Sequence, residues 1–412
     1  MRRNATLFVA ISLLSGFGST AMALVVGIWI LDLTGSSSVA GLTGLSVYAP
    51  LLVGPWLGAV VDRLPRRPML IGVNVVLAAV LLTLLAVRSR DQVWLIFAVM
   101  VARGLSYVFL DAGETALLPA ALSADALGRV NGWRSSAQEG MKLVAPLAGA
   151  ALYAWHGGTP LVVLVAALPL LVAALYAAVR LDGSRSRTAT DSPRNAPATV
   201  DGPAAGGGSV GSAGGVRAGL AVLWQRPDIR TPVLVAAVAI AMSGFSTAPL
   251  YSAVTGRLGL PSVFLGLLGS AQGAGSIAGG LGVGRLLTRF GPGPVAAAGA
   301  VLFAAGSLSR CLSWSPALLA GSVLIGAGLP WTLIAGITAV QIGVPDAVLG
   351  RVAATSTALM FGPNALAIPL GAAAVHIGSV APFVFAALLC LAAAAWAVRA
   401  GARRPVAVGV GE

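Results

Sequence analysis

The sequence predicts an all-α integral membrane protein with twelve transmembrane helices in two pseudo-symmetric six-helix bundles. Three observations predict it. Of 412 residues, 57% are hydrophobic and 9% charged, against about 25% charged in an ordinary soluble domain. The apolar residues gather in about twelve stretches, each near the ~20 residues a helix needs to cross ~30 Å of hydrocarbon. Finally, the two halves of the chain echo one another. Barrel strands are excluded by the length of the stretches and by the lack of two-residue alternation.

The spans are expected near 6–31, 39–61, 68–87, 92–118, 130–154, 159–180, 229–254, 262–287, 292–311, 316–342, 350–375 and 380–399. The first is too long for a signal-peptide core and lacks a small-residue cleavage site, so it is read as a permanent span. Basic residues outnumber acidic ones 26 to 13. They cluster at span ends on one side: Arg2 and Arg3, Arg63 to Arg67, Arg129 and Arg134, Arg180 to Arg230, Arg285 and Arg289, Arg351, and Arg399 to Arg404. The other side keeps Arg88, Arg90, Arg257 and Arg310. The positive-inside bias puts both termini in the cytoplasm. Because the charges follow topology rather than forming a folded basic face, no nucleic-acid partner is expected. Cys311 and Cys390 lie in apolar segments and read as small hydrophobes rather than a disulfide.

Residues 181–228 turn to Ser, Pro, Gly, Ala, Asp and Arg, the composition of a flexible linker. It separates an N-terminal bundle, 1–180, from a C-terminal one, 229–412. A Gly-x-Gly-x-x-Gly match at Gly206, Gly208 and Gly211 has no preceding strand, so it does not mark a dinucleotide site. Across the linker, Asp125-Ala-Leu-Gly-Arg129-Val before the fifth span is echoed by Asp346-Ala-Val-Leu-Gly-Arg351-Val before the eleventh. Pro146 matches Pro369, and His156 matches His376. Gly284 to Gly291 echoes Gly58 to Pro65 with Thr288 in place of Asp62. Such repetition marks a duplicated unit.

The stretch Gly58-Ala-Val-Val-Asp62-Arg63-Leu-Pro65-Arg66-Arg67-Pro68 is a tight cytoplasmic turn between the second and third spans, where both prolines disfavour helix continuation. Gly58, Asp62, Arg63, Arg66 and Arg67 resemble the loop motif of the major facilitator superfamily of secondary transporters, with Pro65 where that family usually has Gly. The resemblance implies two parallel six-helix halves that rock about a central site. It also implies a gating role for Asp62, which would brace the positive N-terminal end of the eleventh span. On that reading Asp62→Asn impairs transport and leaves insertion intact.

A charge at the centre of a span costs about 2.5–3.5 kcal/mol on insertion scales and needs a reason. The fourth span carries Arg103, Asp111 and Glu114, and the fifth carries Glu139 and Lys142. At ~100° per residue Arg103 and Glu114 share a face, and Glu139 and Lys142 occupy adjacent turns. Asp111, Glu114, Glu139 and Asp32 are the proton-coupling candidates, with Arg103 and Lys142 as charge partners. A carboxyl out of water holds a proton more tightly and a nearby cation loosens it, so movement between the two makes a switch. Fixed ion pairs, Arg103 with Glu114 and Lys142 with Glu139, are the structural alternative. The second half has no acid within any expected span.

Ala145-Pro146-Leu-Ala-Gly149 resembles the superfamily's antiporter motif, which accompanies export. Leu31-Asp32-Leu-Thr-Gly35, Asp111 followed by Leu117-Leu118-Pro119, and Asn131 are similar to the drug and natural-product exporter branch, including macrolide-efflux and enterobactin-exporter-like proteins. Trp29, Tyr48, Phe245, Gln272, Trp331, Phe361 and Asn364 are candidates to line a substrate cavity, with lipid-facing or interfacial positions as the alternative for the aromatics. The expectation is a non-enzymatic transporter in a bacterial cytoplasmic membrane. It exports a small amphipathic organic compound in exchange for protons, as a monomer in the bilayer, with neither cofactor nor metal. Without a phosphate-binding loop the energy must come from gradients. Import or uniport on the same fold, or a membrane scaffold or sensor, are the alternatives.

Overall fold

The computed structural model describes residues 2–46, 64–180 and 220–402. Gly58, Asp62, Arg63, Tyr48 and most of the expected linker lie outside the described residues. What is described is helical throughout, with no strand among the described residues. Nine helices among them are long and apolar enough to cross a membrane.

The chain forms two compact units, Met1–Thr34 with Ser46–Gly211, and Gly35–Leu45 with Ser212–Glu412. In the first unit α1 is Arg2–Thr34, α3 Arg66–Leu82, α4 Val93–Ala121, α5 Ala124–His156 and α6 Gly158–Ala178. The short α2, Ser37–Gly41, belongs to the second unit. With it are α7 (Pro227–Phe245), α8 (Thr247–Ser252), α9 (Phe264–Phe290), α10 (Pro292–Ser309), α11 (Ser315–Gly343), α12 (Asp346–Phe361), α13 (Asn364–Ala374) and α14 (Ala381–Ala402).

Three expected spans fall outside the nine. The second lies mostly outside the described residues. Helices α5 and α9, of 33 and 27 residues, are long enough to cross, but their charges and glycines dilute every apolar window. Such helices are the ones expected to face protein rather than lipid.

Prolines set several boundaries. Pro65 is the N-cap of α3, and Pro68 sits inside its first turn, where a missing N–H costs nothing. Pro68 therefore does not delay the helix, which starts at Arg66 and not at 68. Gly362 and Pro363 divide the eleventh span into α12 and α13. The seventh ends its α-helix at Phe245 and continues as α8 and a π turn, Ala253–Arg257.

Helix pairing repeats between the units. In the first, α1 packs on α5, α3 on α6, and α3 on α4. In the second, the counterparts pack the same way: α7 on α12 and α13, α10 on α14, and α10 on α11. The first core gathers Phe8, Ile11, Leu70, Leu117 and Tyr176. The second has one cluster around Phe303, Ile325 and Cys390 and another around Ile229, Val233, Val340 and Met360. Both cysteines are free, and Cys390 is buried.

Candidate functional site

The charged residues of α4 are sorted by their distance along the helix as well as by face. Arg103 and Glu114 are eleven residues apart, which returns nearly to the same face but about 16 Å further along the axis. No ion pair joins them. Arg103 Nη2 instead donates to the Ser19 carbonyl of α1 at 3.1 Å. Glu114 is held by Arg134 of α5, with 2.8 Å between Arg134 Nη2 and Glu114 Oε2 and 15% exposure for each side chain.

Arg134 reaches three helices at once. Its Nε donates to Ser12 Oγ of α1 at 3.0 Å, and its Nη1 lies 3.4 Å from Asn131 Oδ1 on its own helix. Tyr176 of α6 is 2% exposed and places its hydroxyl beside the same carboxyl. Four helices thus converge on Glu114. Its second oxygen, Oε1, is buried without a hydrogen-bond partner. A carboxylate with one oxygen charge-paired and the other free can take a proton on the free oxygen without first breaking a bond. Asp111 lies three residues before Glu114 on α4 and is exposed.

Glu139 and Lys142 pair at 2.5 Å with side chains 42% and 49% exposed. Asp32, near the end of α1, is hydrogen-bonded by the Tyr153 hydroxyl of α5. Trp29 is buried, and a Cβ on Gly158 would meet its ring at 3.0 Å. Gly149 is where α1 and α5 touch, since a Cβ there would lie 3.0 Å from Ala21 Cβ. Pro146, buried inside α5, stands one turn before it.

Polar side chains close one end of the first unit. Arg67 donates through Nε to the Tyr176 carbonyl at 3.1 Å and through Nη2 to Ala177, so this residue of the turn motif caps the last carbonyls of α6. Asn4 donates to the Ala121 and Arg180 carbonyls at 3.0 and 2.8 Å. Sequence reading missed both Asn4 and the Arg134–Glu114 pair. Arg134 had been counted only as a topological charge, although its place near the start of the fifth span sets it level with the end of the fourth.

In the second unit Phe245 is buried against Phe385, ring centroids 5.5 Å apart. Asn364, 3% exposed, presses on Gly244, where a Cβ would lie 1.8 Å from Oδ1, and that oxygen has no hydrogen-bond partner. Trp331 donates from Nε1 to the Gly279 carbonyl at 2.8 Å. Gln272 and Phe361 are half-buried. An open apolar groove of 510 Å³ runs along α3 and α4 over Met69, Leu105 and Phe109, and none of the described cavity candidates lines it. No cluster of three or more metal-ligating side chains occurs among the described residues.

The helix pairing repeats between the two units, and the family follows from sequence comparison. The model of the Major Facilitator Superfamily matches residues 8–256. The chain belongs to this superfamily. Its sequence is similar to Macrolide efflux protein A of Streptococcus pyogenes, 28% identical over 147 residues, and to the protein of that name from Enterococcus faecalis, 28% identical over 121 residues. These matches cover 35% and 29% of the chain, and the chain spans only 36% and 38% of the relatives' length. Among solved structures, a bacterial homologue of the iron transporter ferroportin superposes with a TM-score of 0.65 at 18% identity, covering 97% of this chain and 98% of that one. The nucleoside transporter NupG gives 0.71 at 10% identity, covering 97% and 100%. These structural likenesses show the major facilitator fold.

Proposed function

We propose that this chain exports a small amphipathic organic compound in exchange for protons by alternating access. The observation that carries the reading is Glu114, a carboxyl inside a helical bundle with one oxygen on Arg134 and the other free. Protonation of the free oxygen weakens the hold on Arg134, and release of the proton restores it. The four helices that meet there give such a change something to move. Asp111 on the same helix, then Glu139 and Asp32, are secondary proton candidates, and Arg103 is a fixed positive charge that would attract an electron-rich part of a substrate. The partial similarity to macrolide efflux proteins supports export and names the first compounds to try.

Twelve spans, an N-terminal bundle over 1–180, a linker over 181–228 and a C-terminal bundle over 229–412 complete the proposal. So do both termini in the cytoplasm of a bacterial inner membrane and a monomeric state. Trp29, Tyr48, Phe245, Gln272, Trp331, Phe361 and Asn364 remain the proposed cavity set, Pro146 and Gly149 the antiporter-like bend, and Gly58, Asp62, Arg63, Arg66 and Arg67 the gate. The test uses purified protein in liposomes with a preset pH gradient and a pH-sensitive dye in the lumen. Addition of a macrolide is expected to release protons only when protein is present. Macrolide flux that is indifferent to the gradient overturns the antiport reading.

A further inference from the structure

The second unit holds one buried guanidinium group, that of Arg310, and one part-buried, that of Arg257, with no acid paired to either among the described residues. Arg310 is the C-cap of α10 and is 4% exposed. Its Nη2 donates to Ser322 Oγ of α11 at 3.2 Å. Arg257, at the end of the π turn after α8, donates through Nη1 to the Ser379 carbonyl at 3.3 Å and through Nη2 to the carbonyl of Arg310. Every one of these acceptors is neutral. The Nε of each arginine is buried and has no acceptor.

The acids of the second half are Asp228, Asp346 and Glu412. Asp228 opens α7 and pairs with Arg226 at 3.0 Å. About 40 Å of helix separates it from Arg257. Asp346 follows the end of α11, whereas Ser322 lies near its start, about 30 Å away along the axis. Glu412 lies outside the described residues. The adjacent Cys311 donates its thiol to the Ser307 carbonyl at 3.7 Å. Buried charges are paired or bound to ions, because an unpaired one forfeits its hydration. A purely structural clasp accounts for the Nη contacts of Arg257 with backbone carbonyls. It leaves unexplained why Arg310 is charged at all and why both Nε–H groups face no acceptor.

The geometry points to an oxyanion site at this end of the second unit, in which Arg310, Arg257 and the Ser322 hydroxyl hold a phosphate-type group. The group is either the phosphodiester of a lipid headgroup or free inorganic phosphate, since arginine donors match both. On the topology proposed above it lies on the sparsely basic side with Arg257 and Arg310, where an outer-leaflet headgroup would sit.

Full-length protein purified in neutral detergent tests this with two probes. Phosphatidylglycerol is compared with phosphatidylcholine by native mass spectrometry, and inorganic phosphate is titrated against thermal unfolding. One retained phosphatidylglycerol with no phosphate response assigns a lipid. A saturable phosphate-dependent rise in unfolding temperature without lipid selectivity assigns the free anion. Arg310→Gln and Arg257→Gln are each expected to weaken binding about tenfold or more, and Ser322→Ala less, as suits loss of a charged or a neutral hydrogen bond. Arg257 is the less buried of the two, so Arg257→Gln carries the test where Arg310→Gln does not fold. Wild-type protein that responds to neither probe, or a folded Arg257→Gln protein that binds as wild type does, overturns the site.

Discussion

Glu114 and Lys142 both belong to ion pairs, yet their surroundings give the pairs different weight. The Glu114–Arg134 pair is 15% exposed on each side and shares its arginine with Ser12. Glu114→Gln keeps an acceptor for Arg134 but removes the charge, and is expected to cost about 1–2 kcal/mol of stability. Under the antiport proposal it also uncouples macrolide movement from protons, so that flux in liposomes no longer follows the pH gradient. Unchanged coupling in folded Glu114→Gln protein would place the proton site elsewhere, with Asp111→Asn as the next variant. The Lys142–Glu139 pair is nearly half exposed. Lys142→Ala is expected to shift stability by no more than ~0.5 kcal/mol, which thermal unfolding in detergent would measure. By helical angle alone the sequence paired Lys142 with Glu139, as the structure has it, and Arg103 with Glu114. It assigned Glu114 the wrong cation because angle repeats every few residues while rise does not.

Between helices, the decisive contacts are made by groups with no side chain. A Cβ on Gly275 would lie 2.1 Å from the Val323 carbonyl oxygen, and one on Gly326 would lie 2.0 Å from that of Gln272. Gly279 faces Ala327 backbone atoms at 2.8 Å, whereas Gly280 beside it meets nothing within 4 Å. Gly279→Ala must therefore push α9 from α11, at about 1–3 kcal/mol. Gly280→Ala is expected to gain a few tenths to ~1 kcal/mol from helix propensity. Thermal unfolding of the two variants in the same detergent checks the contrast, and equal effects would mean that α9 and α11 do not cross at Gly279. The glycines of α9, from Gly266 to Gly284, are plain in the sequence. Which glycines touch is not, because composition carries no azimuth. The same limit explains the eleventh span, read as one apolar run over 350–375, where Gly362 and Pro363 break the backbone without interrupting its hydrophobicity.

At the scale of the molecule, length was the most legible property, and length also decides which turns can lie on opposite faces of a bilayer. Helix α4 has 29 residues, about 43 Å at 1.5 Å per residue, more than the ~30 Å of hydrocarbon. The turn before it carries Arg88, Ser89 and Arg90, and the turn after it leads to Arg129. If α4 spans the bilayer, these turns lie on opposite faces. Charge then decides which face is which. The end with Arg129 also collects Arg3, Arg67 and Arg180, joined there by hydrogen bonds from Arg3 to the Ala178 carbonyl and from Arg67 to the end of α6. On the topology proposed above, that end is the cytoplasmic one, as the positive-inside bias has it. Ser89 and Arg129 are both exposed, so each can report its side. In a background carrying Cys311→Ser and Cys390→Ala, Ser89→Cys is expected to react with an impermeant maleimide on intact cells. Arg129→Cys is expected to react only after the membrane is permeabilised. Labelling of both from one side would remove α4 as a span and with it the bundle built around Glu114. Labelling with the sides reversed would keep the bundle and invert it, leaving the gradients to set the direction of exchange as before.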